Sequence, residues 1–123
     1  MSKVVLITGA SSGIGKSIAI YLSEKGFKVY GTSRTFRESN NLPFTFVALD
    51  VTKPETINLA VESIIKQEGR LDVLINNAGK GITGPIEDTP TEEMRQNFDT
   101  NFFGAIDVAK AVLPQMRKQK SGL

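Results

Sequence analysis

The 123-residue sequence contains no cysteine and no histidine. Without cysteine the chain can form neither a disulfide nor a thiolate metal site, so its redox compartment cannot be inferred. Without histidine it lacks the commonest general base and the commonest metal ligand. We therefore expect no metal site, and any acid–base chemistry must come from other residue types.

An excess of charge and long apolar runs are also lacking. Fifteen basic and thirteen acidic residues give a net charge of +2, which is too small to indicate a nucleic-acid or membrane partner. No apolar run approaches the length of a membrane span, and the N-terminal run is too short for the core of a signal peptide. These features predict a cytoplasmic protein.

Short β-branched runs alternate with stretches of helical periodicity. Strands are predicted at residues 4–8, 27–33, 44–51 and 71–76, and helices at 13–25, 52–67 and 91–118. Gly26 is expected to end the first helix, and Thr52 to begin the second in a capping box with Glu55. Pro114 is expected to bend the last helix.

This alternation predicts an α/β fold. Strands joined through helices pair in parallel with right-handed crossovers, and near-continuous apolar strands are typical of a sheet covered on both faces. We expect a Rossmann-like, doubly wound parallel sheet of four strands in the order 3-2-1-4, with residues 1–123 belonging to one domain.

Gly9, Gly13 and Gly15 lie between the first strand and the first helix. In such a turn the missing side chains let the backbone approach a pyrophosphate, and the helix N-terminus supplies N–H donors. The alternative is a tight turn whose glycines adopt positive φ. The strand–turn–helix context favours nucleotide binding.

Four motifs along the whole chain resemble those of the classical short-chain dehydrogenases/reductases: "TGASSGIG" from Thr8, "DV" at Asp50, "NNAG" from Asn76 and "TNFFG" from Thr100. The resemblance implies an NAD(P)-binding Rossmann domain, in which Asp50 and Val51 contact adenine and the "NNAG" segment braces the sheet. The cofactor-binding residues that it implies are Gly9, Ser11, Ser12, Gly13, Ile14, Gly15, Asp50, Val51, Asn76, Asn77, Ala78 and Gly79.

Ser33 and Arg34 indicate which dinucleotide is preferred. An acidic residue about twenty positions after the glycine loop would bind a ribose 2′-OH and repel a 2′-phosphate, but no carboxylate stands there. A hydroxyl and a guanidinium suit a phosphate, and Lys16 and Arg37 could add positive potential. We therefore predict NADP rather than NAD, the alternative being that Arg34 is a solvated loop cation.

The resemblance also implies hydride transfer between nicotinamide and a small hydrophobic carbonyl or alcohol substrate, with an Asn-Ser-Tyr-Lys tetrad. Asn101 in "TNFFG" matches the asparagine. The other three members follow a fifth strand in the family, and the sequence ends at Leu123, where that strand should begin. We expect a cofactor-binding, truncated half of an oxidoreductase that is itself inactive.

Tyr21 and Lys25 have the spacing of a catalytic pair, but they lie on the helix that leads away from the ligand-binding edge of the sheet. We interpret Tyr21 as a residue at the boundary of the core and Lys25 as a solvated cation. A second hypothesis for the whole chain is a non-catalytic nucleotide-binding or scaffolding module.

The last helix is apolar over more than one face, with Phe98, Phe102 and Phe103 among its residues, which predicts a homo-oligomer or a fragment whose partner segment is missing. Residues 79–90 faintly resemble the loop of family members that act on steroids or related hydrophobic alcohols and ketones.

Overall fold

Four parallel strands form the centre of the chain in a computed structural model that describes residues 2–123. The strands are β1 (Val4–Ile7), β2 (Lys28–Ser33), β3 (Thr45–Ala48) and β4 (Val73–Ile75). Their order in the sheet is β3-β2-β1-β4. In β1, Val5 pairs with Val29 on one side and with Val73 on the other. The predicted fold class and strand order are confirmed, although each strand is shorter than its apolar run.

Helices cover both faces of the sheet. They are α1 (Gly13–Glu24), α2 (Pro54–Glu68), α3 (Thr91–Phe98) and α4 (Gly104–Gln119). Every residue of β1 is buried, because successive side chains point to opposite faces of the sheet and helices cover both faces. Val4 and Leu6 pack in the core with α2 and α4, whereas Val5 and Ile7 pack in the core with α1. This two-sided burial explains why the strand is apolar throughout.

Helix α1 ends before Gly26, as predicted, but α2 does not begin with the predicted capping box. Gly26 follows the helix with φ +95°, a conformation that glycine adopts without strain. Helix α2 begins at Pro54 after Lys53, not after Thr52. The Thr52 hydroxyl donates instead to Asp50 Oδ1 at 2.6 Å, a local bond that competes with helix capping. The predicted capping box is therefore wrong.

The predicted last helix consists of two helices with a π-helical turn, Asp99–Phe103, between them. Such turns are often found at functional sites. Apolar periodicity did not reveal the interruption, because the backbone stays helical through it. Pro114 lies inside α4, which continues to Gln119. Among residues 2–123, no helix is long and apolar enough to cross a membrane.

Candidate cofactor-binding site

A cleft of about 950 Å³ opens where the parallel strands end. Most of its wall comes from the end of β2 and from the segments that follow the four strands, because the carboxyl ends of parallel strands lie at one edge of the sheet. Gln96, Asp99 and Thr100 complete the wall. The predicted site residues that line it are Gly9, Ser11, Ser12, Ser33, Arg34, Asp50, Val51, Asn77, Ala78 and Gly79. Segments that are far apart in the sequence are thus brought to one place.

Hydrogen bonds join the turn after β1 to the turn after β4 and to Thr32 of β2. The hydroxyl oxygen of Thr8 accepts the backbone N–H groups of Asn77 at 3.0 Å and of Ala78 at 2.9 Å. The Asn77 amide donates to the carbonyl oxygens of Thr8 at 3.1 Å and of Gly9 at 3.0 Å. The Thr32 hydroxyl oxygen accepts the Gly9 N–H at 3.1 Å. These bonds fix the backbone of the glycine loop.

The glycines of this loop have two different roles. Gly9 and Gly13 adopt φ +71° and +60°, so the tight-turn interpretation holds for both of them. The φ of Gly15 is not positive, so its role is a different one. A Cβ there would overlap the Gly9 carbonyl oxygen and the Asn77 amide nitrogen. Glycine at position 15 therefore allows the start of α1 to pack closely against Gly9 and Asn77.

Four predicted cofactor residues are not among those that line the cleft. Gly13 and Ile14 are exposed, with 74% of Ile14 accessible, and Gly15 is buried in the loop. Asn76 donates from its amide to the Ala105 carbonyl at 3.2 Å, which links the end of β4 to α4. Contact of these four residues with a cofactor stays a prediction.

Basic groups lie at the end of β2. Ser33 is the last residue of the strand and is 8% exposed, whereas Arg34 and Arg37 are exposed beside the cleft. Arg37 Nε donates to Ser33 Oγ at 3.1 Å. The absence of a carboxylate at the end of β2 favours an anion at this corner of the cleft.

Asp50 supplies a negative charge on the neighbouring wall. Its carboxylate accepts the N–H of Thr52 at 2.9 Å and the Thr52 hydroxyl at 2.6 Å. The pKa of Asp50 is lowered, chiefly by the Thr52 hydroxyl, with smaller contributions from the charges of Lys53 and Arg34. The carboxylate is therefore ionised at neutral pH, and the cleft carries both signs of charge.

Asn101 lies in the π-helical turn and does not line the cleft, although Thr100 beside it does. Its Oδ1 accepts the backbone N–H of Lys80 at 2.8 Å, and its Nδ2 donates to the Lys80 carbonyl at 2.7 Å. Asn97 donates to the same carbonyl at 2.8 Å. The two asparagines therefore anchor the loop after β4 to the helices, an arrangement that the sequence motif did not predict.

Tyr21 and Lys25 are also absent from the cleft lining, and the Lys25 ammonium lies 5.4 Å from the centre of the Tyr21 ring. Tyr21 is 59% exposed, so its interpretation as a boundary core residue is wrong. The buried residues of α1 are Gly15 and Ala19, and a residue two positions after Ala19 points away from their face.

Several cleft residues were not predicted from the sequence: Thr32, Thr35, Leu49, Thr52, Lys53, Lys80, Gln96, Asp99 and Thr100. Thr32 could have been found, since it precedes Ser33 at a strand end. Gln96 and Asp99 gave no signal, because their approach depends on the interrupted helix, and Thr100 belongs to the "TNFFG" motif but was not predicted to line the cleft. Within residues 2–123 no group of three or more acidic side chains could hold a metal ion.

A parallel sheet with a glycine loop and a cleft at its carboxyl edge defines a dinucleotide-binding α/β protein. The chain belongs to the short chain dehydrogenase family, whose sequence profile matches residues 3–123. It is 50% identical over 121 residues to 3-ketodihydrosphingosine reductase of Bacteroides thetaiotaomicron, covering 98% of this chain and 44% of that protein. It is 38% identical over 133 residues to human retinol dehydrogenase 8, covering 98% of this chain and 42% of that protein.

Solved structures agree with this assignment. A short-chain dehydrogenase from Streptomyces avermitilis superposes with a TM-score of 0.92 at 38% identity, covering 99% of this chain and 47% of that chain. The structure of ElxO with NADP bound also gives a TM-score of 0.92, at 36% identity, covering 99% of this chain and 53% of that chain. The chain therefore spans about half the length of the relatives that it matches.

Proposed function

We propose that this chain is the cofactor-binding part of a cytoplasmic, NADP-dependent short-chain oxidoreductase that interconverts a carbonyl and an alcohol. The observation that carries the proposal is the convergence of the glycine loop, Ser33, Arg34, Asp50 and the segment 77–79 on one cleft. Membership of the short chain dehydrogenase family supports the same conclusion.

The residues of the cleft fit a dinucleotide. Ser12 precedes α1 without a side-chain capping bond, so the first-turn N–H groups are available to a pyrophosphate. Asp50 and Val51 would border the adenine, and Asn77 to Gly79 would hold the part nearer the nicotinamide. The bound cofactor would supply or accept the hydride.

Ser33 and Arg34 support NADP over NAD. A guanidinium offers forked, charge-assisted donors to a phosphate, and the structurally similar ElxO was solved with NADP bound. Lys16 is a further cation in the first turns of α1, but it is not among the residues that line the cleft. Arg34 is therefore the residue on which to test the preference.

Calorimetric titration of the 123-residue chain with NADPH and NADH tests this proposal. We expect the unmodified chain to bind NADPH more tightly, and Arg34→Asp to weaken NADPH binding at least tenfold, because a charge-assisted bond worth about 1.5–3 kcal/mol is replaced by repulsion. NADH binding should be unchanged or improved. Arg117→Asp, on an exposed position of α4, is the matched control. Equal affinity of the unmodified chain for both cofactors would contradict the assignment.

The relatives' names suggest a substrate class. One name specifies a 3-keto compound related to sphingosine and the other specifies retinol, so one is a ketone and the other an alcohol. A small hydrophobic ketone or alcohol is accordingly proposed for the enzyme to which this sequence belongs.

Asn101 is the tetrad member proposed for this chain. A tyrosine four positions before a lysine occurs only at Tyr21 and Lys25, which do not line the cleft. We therefore expect the 123-residue chain to show no NADPH oxidation with ketone substrates, followed at 340 nm. Any measurable rate with the purified 123-residue chain would overturn this expectation.

A homo-oligomer is proposed from the aromatic face, which we define as Phe98, Phe102 and Phe103. These three residues are 59%, 52% and 54% exposed. The rings of Phe102 and Phe103 pack edge to face with their centroids 5.1 Å apart, so the exposed apolar surface is continuous there. Contiguous exposed apolar surface of this kind is typical of an association site.

A further inference from the structure

The loop after β4 is attached by hydrogen bonds at a single residue. Residues 79–84 belong to no helix or strand and are exposed. Among the described residues 2–123, their backbone makes hydrogen bonds at Lys80 alone, and the partners are the side chains of Asn97 and Asn101. Because Gly79 and Lys80 also line the cleft, this attachment sets the position of one part of the cleft wall.

The orientations of the two side-chain amides are determined by their partners. Asn101 Oδ1 accepts the Lys80 N–H at 2.8 Å, and Asn101 Nδ2 donates to the Lys80 carbonyl at 2.7 Å. Reversing this amide would place donor against donor and acceptor against acceptor. Asn101 Nδ2 also donates to Asn97 Oδ1 at 3.1 Å, and Asn97 Nδ2 donates to the Lys80 carbonyl at 2.8 Å. Asn97 therefore holds both the Asn101 amide and the Lys80 backbone.

Asn97 completes the hydrogen bonding of this network. Both hydrogens of Asn101 Nδ2 have an acceptor and the Lys80 carbonyl has two donors, so neither group has capacity left for a ligand. Asn97 and Asn101 are four positions apart, which makes them neighbours on a helix surface. Neither of them lines the cleft. Asn97 can therefore influence a bound molecule through the backbone at Lys80 rather than by direct contact.

We propose that Asn97 is a positioning residue for the nicotinamide half of the cofactor, because it fixes Lys80 together with Asn101. The inference rests on the proposed dinucleotide-binding function, in which residues 77–79 lie near the nicotinamide. Lys80 follows this segment directly and lines the same cleft. A wall that is already fixed lowers the entropic cost of binding, and loss of the Asn97 amide would give up that advantage.

The test uses NADPH and 2′-phospho-ADP-ribose, which lacks the nicotinamide, titrated calorimetrically into the 123-residue chain. Asn97→Ala should weaken NADPH binding about fivefold and leave 2′-phospho-ADP-ribose unchanged, because the loop wall faces the nicotinamide half. Asn58→Ala is the matched control. Asn58 is an exposed asparagine of α2 whose side chain makes no hydrogen bond within the described part of the chain.

Asn97→Asp separates hydrogen bonding from side-chain volume. It keeps the size and the acceptor for Asn101, but it places an acceptor against the Lys80 carbonyl. We expect its loss of NADPH affinity, relative to 2′-phospho-ADP-ribose, to be at least as large as that of Asn97→Ala. The double variant of Asn97→Ala with Asn101→Ala should be little worse than the worse single variant, because both residues act through Lys80.

The fluorescence lifetime of bound NADPH gives a readout that a purely structural role of Asn97 would not change. A nicotinamide against a less fixed wall should show a shorter lifetime in Asn97→Ala than in the unmodified chain. Alanine is a better helix former than asparagine, and Asn97 lies in α3, so the thermal unfolding midpoint should not fall. A lifetime equal to that of the unmodified chain would overturn the inference.

The outcomes separate this inference from the proposed function. If the unmodified chain binds neither NADPH nor 2′-phospho-ADP-ribose, both are wrong. If it binds NADPH more tightly than NADH but Asn97→Ala weakens NADPH and 2′-phospho-ADP-ribose equally, or weakens neither, only the present inference is wrong. Equal affinity of the unmodified chain for NADPH and 2′-phospho-ADP-ribose would also overturn it, because the loop wall would then contribute nothing to the nicotinamide half.

Discussion

Asp72 is the clearest case of one residue that stabilises the fold away from the cleft. Its carboxylate is 5% exposed and accepts the N–H of Val4 at 2.8 Å, which joins the start of β1 to the chain just before β4. Arg70 donates two further bonds at 2.7 Å each. The pKa of Asp72 is lowered, chiefly by the Arg70 bonds. The ionised form is therefore favoured by folding.

We predict that Asp72→Asn lowers the free energy of unfolding by about 2 kcal/mol at pH 7, because a neutral amide cannot replace three bonds to an ionised carboxylate. Urea unfolding measures this. Asp88→Asn, at an exposed position, should have no effect. A loss in Asp72→Asn no larger than that in Asp88→Asn would contradict the assigned role.

The same residue predicts a pH dependence. Because the pKa of Asp72 is lower in the folded than in the unfolded state, its contribution is complete above the unfolded value of about 3.9 and is lost as pH falls through the folded value. The stability difference between the unmodified chain and Asp72→Asn should therefore shrink below pH 4. A difference that stays constant from pH 7 to pH 3 would show that the carboxylate acts only by packing.

At the scale of elements, the π-helical turn joins α3 to α4 and places Asp99 and Thr100 in the wall of the cleft. Gly104 follows the turn and is buried, and a Cβ there would lie 2.8 Å from Val51 Cγ2 and 3.0 Å from the Asp99 carbonyl oxygen. Val51 lines the cleft and follows β3. The close approach of α4 to that strand end therefore requires glycine at this position.

Gly104→Ala should destabilise the fold by about 1–3 kcal/mol, because the added methyl group overpacks a rigid contact with Val51. Gly81→Ala is the control, since its Cβ would meet nothing within 4 Å. Thermal and urea unfolding measure both variants, and NADPH titration reports whether α4 has shifted at the cleft. Unfolding midpoints for Gly104→Ala equal to those of Gly81→Ala would refute this account of the packing.

At the scale of the whole molecule, the outer edge of β4 and the aromatic face are the two surfaces suited to association. Leu123 partly occupies that edge, since its N–H donates to the Asp72 carbonyl at 2.9 Å and its carbonyl accepts the Leu74 N–H at 2.8 Å. This is the bonding pattern of a parallel strand. Leu123 thus covers part of this edge, whereas the aromatic face is exposed within residues 2–123.

Phe102→Glu should therefore reduce self-association. Light scattering with size-exclusion chromatography should give a mass above the 13.4 kDa monomer for the unmodified chain, rising with concentration, and a mass near the monomer for the variant. Phe36→Glu is the matched control, because Phe36 is 78% exposed but lies outside the aromatic face. A monomeric unmodified chain at high concentration would exclude the proposed oligomer.

The sequence by itself determined the fold class, the strand order and the glycine loop. Buried strands must be apolar on both faces, parallel strands must be joined through helices, and a narrow turn admits only glycine, so each of these features leaves a local pattern. Ser33 and Arg34 were likewise predicted at the cleft, because a strand end in a parallel sheet has a fixed position relative to the ligand edge.

Only the tertiary structure decided the Arg37–Ser33 bond, the anchoring of Lys80 by Asn101, and the π-helical turn that shapes the far wall of the cleft. The exposure of Tyr21 was decided there too. These features depend on contacts between elements that have no periodic signature in the chain. The polar bonds that hold the site together link residues up to 70 positions apart, as between Thr8 and Ala78, and such partners are chosen by packing.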